Sequence, residues 1–132
     1  MSKNQQGNVI ARFDSDATSP GAECRTVWGR HVRAAVAGDI DAVMSDFTDH
    51  SAIITADSVL AGTSAIRGFF EKLLGGLDQQ AHQSTVMNAE MVHGDTLVAN
   101  FTIGSIGRTF HDTAVIREGK FAVLSTVNYP TE

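Results

Sequence analysis

The spacing of apolar positions changes character along this chain. Between Ala22 and Ala37, Val27, Trp28, Val32, Ala35 and Val36 recur near helical spacing, with Arg25, Arg30 and Arg33 on the water side. Gly38 suits the end of that helix, and Asp39 is placed to cap a second, shorter one carrying Ile40, Val43, Met44 and Phe47. The run from His50 to Ala56 is short and β-branched, which predicts a strand, and Asp57-Ser58 and Gly62 bracket a turn or brief extended return through Val59 and Leu60. A third helix follows, with Thr63 or Ser64 as its cap. Its apolar face is Ile66, Phe69, Phe70, Leu73 and Leu74, and Gly75-Gly76 stops it.

After about Gln80 the chain reads as strand. The expected strands are 82–92, 96–106, 109–117 and 121–129, separated by His93-Gly94-Asp95, Gly107-Arg108 and Glu118-Gly119-Lys120. Connections this short cannot hold the crossover helices that parallel strands need. Helices first and a meander afterwards predict an α+β domain over 22–132 in place of a doubly wound nucleotide fold. One face of the sheet must meet the helices, and the other is solvated or meets another subunit. Residues 1–21 are polar and end at Ser19-Pro20-Gly21, which predicts an N-terminal extension that Val9, Ile10 and Phe13 could dock.

Composition narrows the possibilities. A chain of 132 residues that is 42% hydrophobic and 19% charged has the apolar content for one real core. Its net charge is −5 and its Lys and Arg are scattered, so nucleic acid is not an expected partner. Cys24, the single cysteine, has no partner for a disulfide or a zinc site and reads as a plain thiol. The opening residues lack the apolar core of a signal peptide and no run approaches a membrane span, which makes the cytoplasm the default location and the membrane an unexpected partner. Gly104-Ser-Ile-Gly107 is not a phosphate loop, and His82, His93 and His111 lack metal-ligand spacing, so neither a cofactor nor a metal is expected.

Asp112 is the most informative polar residue. In its strand it shares a face with Phe110, Ala114 and Ile116, while Thr109, His111, Thr113 and Val115 take the other. A carboxyl on an inward apolar face needs hydrogen bonds, a shifted pKa or water, and a raised pKa suits proton transfer or donation from the neutral acid. A wet sheet face or a structural hydrogen bond would account for it equally simply. His31, between Trp28 and Ala35 on the first helix, is expected as a half-buried group that orients a substrate or relays a proton, or as a satisfied core-edge side chain. Asp57 follows the first strand and reads as a second carboxylate at a cavity rim or as turn chemistry beside Ser58. Asp46 and Asp49 are expected in solvated caps and loop contacts, and Asn100 and Thr102 share one strand face with Val98. Trp28, Phe47, Phe69 and Phe110 are candidate linings of a substrate pocket, or simply core.

Four segments occur in an order that resembles the nuclear transport factor 2-like superfamily, particularly its SnoaL-like and ketosteroid-isomerase-like members. They are Ala37-Gly-Asp-Ile-Asp-Ala-Val43, Phe47-Thr-Asp-His-Ser-Ala-Ile-Ile54, Gly62-Thr-Ser-Ala-Ile-Arg-Gly-Phe-Phe70 and Asp112-Thr-Ala-Val-Ile-Arg-Glu-Gly-Lys-Phe121. The resemblance implies three N-terminal helices packed on a strongly curved mixed or antiparallel sheet, a cone-shaped barrel with an internal pocket for small apolar molecules, commonly a homodimer. It places Asp112 where similar cyclases use a carboxyl in proton transfer and similar steroid isomerases stabilise an enolate. The chain departs from the isomerase pattern at two points. Its first strand ends in Ile53-Ile54-Thr55-Ala56 and reaches Asp57 only afterwards, and its sole tyrosine, Tyr129, is far from the first helix. The expected activity is cofactor-independent acid/base isomerisation or cyclisation of a small hydrophobic carbonyl compound, with Asp112 assisted by His31 and Asp57. The alternative is a noncatalytic small-molecule-binding or accessory dimeric domain.

Overall fold

The computed structural model describes residues 20–132. Nearly all of the expected polar extension over 1–21 therefore lies outside the described residues. Helix α1 runs Pro20–Ala37 and stops at Gly38, whose φ of 69° is costly for any residue with a Cβ. Asp39 then caps α2 (Ile40–Met44), its carboxylate accepting the Ala42 amide at 3.1 Å. Two three-residue strands, β1 (Ala52–Ile54) and β2 (Val59–Ala61), form a small hairpin before α3 (Thr63–Gly75). Neither Thr63 nor Ser64 caps α3 as expected. Gly62 takes the cap position with a φ of 87°, and Asp49, from a loop fourteen residues earlier, accepts both the amide and the hydroxyl of Thr63.

A fourth helix corrects the strand expected over 82–92. Asp78 accepts the Ala81 amide at 2.9 Å and starts α4 (Gln79–Gln83), so β3 begins only at Thr85 and runs Thr85–His93. Ala81 is the one buried residue of α4 and packs with Ile103 and Phe110. The remaining strands are β4 (Thr96–Ile103), β5 (Arg108–Arg117) and β6 (Lys120–Pro130), with a single 3-10 turn, Gly104–Ile106, where strand was expected up to 106.

The six strands form one sheet in the order β2-β1-β6-β5-β4-β3. The meander from β3 to β6 is antiparallel, whereas β1 joins β6 in parallel, so the sheet is mixed. It curves and stays open, with β2 and β3 as its edges. Bulges at Met87/Ala89 and Val115/Ile116 supply local bends.

The helices lie in the hollow. Val27 and Trp28 of α1 and Ile66 and Phe70 of α3 meet Ile53, Leu97, Ile116 and Phe121 of the sheet. The smallness of Ala99 and Ala114, both fully buried, leaves room for these larger groups. Below the core, Asp46 is not solvated as expected but 1% exposed, with Nε and Nη2 of Arg30 both 2.7 Å from its Oδ1. Removing the guanidinium would leave a buried carboxylate unpaired. Arg30→Met is expected to lower the unfolding free energy by about 2 kcal/mol in urea denaturation, less than for a fully buried pair because Arg30 itself is half exposed. A loss too small to detect would show that the pair contributes nothing.

Candidate functional site

Between the helices and the concave face of the sheet is a cavity of about 380 Å³, within the usual range for small-molecule sites. Trp28, His31 and Ala35 of α1 and Phe69, Phe70 and Leu73 of α3 form the helix wall. Phe101 of β4, Phe110 and Asp112 of β5, and Leu124 and Thr126 of β6 form the sheet wall. Exposed Asp57 and Asn128, with half-buried His82 and Arg108, stand on its wetter side.

Asp112 reaches this wall through the twofold period of β5. Phe110, Asp112, Ala114 and Ile116 are all buried, while His111, Thr113 and Val115 on the other face are only partly so. The carboxyl is 7% exposed and accepts one hydrogen bond, from the Thr126 hydroxyl at 2.6 Å, the residue directly opposite on β6. Burial pushes its pKa up to about 6, and the Thr126 bond only partly opposes that rise. Both protonation states are therefore accessible near neutral pH.

His31 is buried, not half-buried as expected. Its ring is boxed by Trp28, Phe47, Phe70 and Phe121, with centroids 5.5, 6.2, 5.5 and 5.0 Å away. Burial lowers its pKa to about 4, so the imidazole is neutral at physiological pH and poorly matched to the relay role considered for it. Its Nδ1 has no hydrogen-bond partner among the described residues. Asp57 borders the cavity while doing turn chemistry, its Oδ1 within 3.2 Å of the Thr55 hydroxyl and 3.3 Å of that of Ser58.

Of the four candidate pocket residues, Trp28, Phe69 and Phe110 line the cavity and Phe47 does not. It stacks on Phe121 at 4.8 Å inside the core, behind His31, because the loop after α2 carries it beneath the helices. His111 points to the outer face, where Tyr129 Oη lies 2.6 Å and Asn100 Nδ2 2.9 Å from its Nε2. Cys24 is buried outside the cavity lining, and burial raises its thiol pKa. Among the described residues, no three His, Cys, Asp or Glu side chains are grouped to hold a metal, and no helix is long and apolar enough to cross a membrane.

Thr126, Arg108 and Asn128 line the cavity without having been singled out as candidates in the sequence, and His82, considered there only for metal-ligand spacing, lines it as well. Thr126 had a legible signal, since it is the hydroxyl that the β5–β6 hairpin sets against Asp112 once its bulge is counted.

No family model and no curated protein matches the sequence. Solved structures do match in fold. An NTF2-like protein from Burkholderia xenovorans aligns with a TM-score of 0.63 at 16% identity, covering 84% of each chain. The fold is that of the nuclear transport factor 2-like proteins. Within that fold, a candidate polyketide cyclase from Sinorhizobium meliloti is 18% identical, with a TM-score of 0.63 over 76% of this chain and 93% of its own. A candidate ketosteroid isomerase from Kribbella flavida is 7% identical, with a TM-score of 0.67 over 88% of this chain and 84% of its own. At these identities the likeness is one of architecture, on which unrelated functions are built.

Proposed function

We propose that this NTF2-like domain catalyses cofactor-independent proton transfer on a small apolar carbonyl compound, giving isomerisation or cyclisation. The observation that carries the reading is Asp112: a carboxyl on the wall of an otherwise largely apolar cavity, with a single hydrogen bond and a pKa of about 6. A base with a pKa near the working pH is best placed to take a proton and return it. The ionised carboxyl would remove a proton from the carbon beside the carbonyl, the C–H electrons passing to the oxygen as an enolate. Isomerisation follows when Asp112 returns the proton to another carbon of the conjugated system. In cyclisation the enolate carbon attacks a second carbonyl, and the new alkoxide takes the proton. The fold likeness to a candidate cyclase and a candidate isomerase supports this class of chemistry.

The natural substrate is not needed to test it. β-Tetralone in deuterium oxide loses the benzylic protons beside its carbonyl to exchange, which proton NMR follows directly. The protein is expected to accelerate that exchange, with a rate rising through a midpoint of about pH 6 as Asp112 ionises. Binding without any acceleration would favour the noncatalytic ligand-binding reading.

A second copy of the chain is the proposed partner. Val86, Met91, Val127 and Tyr129 lie on the outer face of the sheet by strand register and are each at least 40% exposed. A homodimer through this face would cover them, and the cytoplasm is the proposed location. Sedimentation equilibrium is expected to give twice the chain mass, and Val127→Glu to return it to the monomer. A wild-type monomer contradicts the assembly and leaves the cavity chemistry untouched.

A further inference from the structure

Trp28, the only tryptophan in the chain, is 3% exposed and lines the cavity from α1. Its indole Nε1–H has no hydrogen-bond acceptor among the described residues. Buried donors in native proteins almost always have a partner, and an indole can only donate, so whatever completes it must accept. One helical turn further along the same wall, His31 leaves Nδ1 unpaired as well. Asp46 Oδ2, outside the cavity lining, is likewise buried without a partner among the described residues, and it belongs to a carboxylate already paired with Arg30 through Oδ1. The Ser51 hydroxyl is bonded to the Phe121 carbonyl and Asp112 to Thr126, whereas Trp28 and His31 are the two cavity-lining residues, among the described ones, that carry a buried ring nitrogen without a partner.

We infer that the ligand of this cavity carries a carbonyl-type oxygen and that the Trp28 indole N–H is the group that receives it. The inference rests on the cavity being a ligand site, the part of the proposed function that does not depend on what Asp112 does. Ligands presenting only donors, such as ammonium groups, would set donor against donor at Nε1, and hydrocarbons would leave it unpaired. An apolar ketone suits both the aromatic lining and the single N–H. In such a complex Trp28 holds the oxygen from the helix wall while Asp112 faces the ligand from the sheet wall. When the proton beside the carbonyl leaves, charge moves onto that oxygen, and the bond from Trp28 strengthens as it does so. Trp28 would then supply the oxygen-binding donor that no tyrosine on α1 provides.

Calorimetric titration with β-tetralone and with tetralin, the same skeleton without the carbonyl, tests this in the intact chain. Wild type is expected to bind the ketone more tightly than the hydrocarbon. Trp28→Phe, which keeps an aromatic ring and removes the N–H, is expected to lose about tenfold in ketone affinity with tetralin affinity little changed. The tetralin result also reports whether the variant keeps its cavity. A readout on the wild type alone comes from the single indole cross-peak in the proton–nitrogen NMR spectrum, which is expected to move downfield with β-tetralone and not with tetralin. Equal affinity for both compounds, an unmoved indole proton, or undiminished ketone binding by Trp28→Phe overturns the role of Trp28 and leaves Asp112 chemistry standing. Failure of the wild type to bind either compound overturns the cavity as a ligand site, and the proposed function with it. Tight ketone binding through Trp28 with no proton exchange removes the catalysis alone.

Discussion

Asp112→Asn is expected to slow the protein-catalysed exchange of β-tetralone protons by roughly a hundredfold or more, the usual contribution of a positioned general base. The substitution is nearly isosteric. The amide can still meet the Thr126 hydroxyl, and the strand keeps the buried face it shares with Phe110, Ala114 and Ile116, so ligand affinity is expected to survive. What disappears is, among the described residues, the only carboxyl buried in the cavity wall, since Asp57 is exposed and held within its own turn. His31 cannot replace it. An imidazole with a pKa of about 4 is a weaker base than a carboxyl with a pKa of about 6. Asp57→Asn is the matching control and is expected to retain most of the rate. Equal losses in the two variants would mean that neither carboxyl acts as the positioned base.

The second large effect is on stability, and it is concealed in the wild type. Burial raises Asp112 from 3.8 to about 6, so its contribution is fully present below pH 3.8 and is lost as pH rises through about 6. Burial lowers His31 from 6.5 to about 4, so its contribution is complete above pH 6.5 and is lost as pH falls through about 4. Each change corresponds to about 3 kcal/mol across its window. Between about pH 4 and 6 the two run in opposite directions and largely offset each other. Single variants separate them. Relative to wild type, Asp112→Asn is expected to lose about 3 kcal/mol more on acidification from neutrality to about pH 4, and His31→Phe to gain a similar amount. Asp57, His82 and Arg108, the other titratable groups at the cavity, are common to all three proteins and cancel in the comparison. Urea denaturation at a series of pH values measures both slopes. Parallel curves for the three proteins would show that neither group is shifted by burial.

The two residues were not equally legible in the sequence. Asp112 could be placed because period-two alternation across Phe110, Asp112, Ala114 and Ile116 fixes one face over a whole strand, and the strand is long enough for the pattern to dominate. For His31 the helical stripe gave the side of α1 but not the depth, because the box around it is completed by Phe47, Phe70 and Phe121 from three separate segments. The same limit explains Phe47 and Asp46. Local spacing put both near a helix end, and only the packing of the loop beneath α1 shows that one fills the core and the other is buried against Arg30.

Long-range pairing was the other gap. Nothing local to Ala52–Ile54 says that it will lie parallel to β6, some seventy residues later. Helix α4 was missed because Gln79–Gln83 contains one apolar residue and so has no periodicity to read; the Asp78 cap was its only mark. The partner of Asp112 was hidden by a single residue. Phe121 and Leu124 are three apart yet both face the core, which a regular strand does not permit, and the bulge at Val115/Ile116 reconciles them and sets Thr126, not Ser125, against the carboxyl. An uneven apolar spacing within an otherwise alternating strand was thus the available clue to the site's hydrogen bond.

The central claim is that the fold holds Asp112 as a carboxyl able to give and take a proton near neutral pH. Carbon-13 NMR of the aspartate carboxyl carbons, with the Asp112 resonance assigned by its loss in Asp112→Asn, measures that property in the free protein. A midpoint of about 6 is the expected result. A midpoint close to the ordinary 3.8 would contradict it, leaving Asp112 a permanently charged and solvated group with no special fitness for proton transfer.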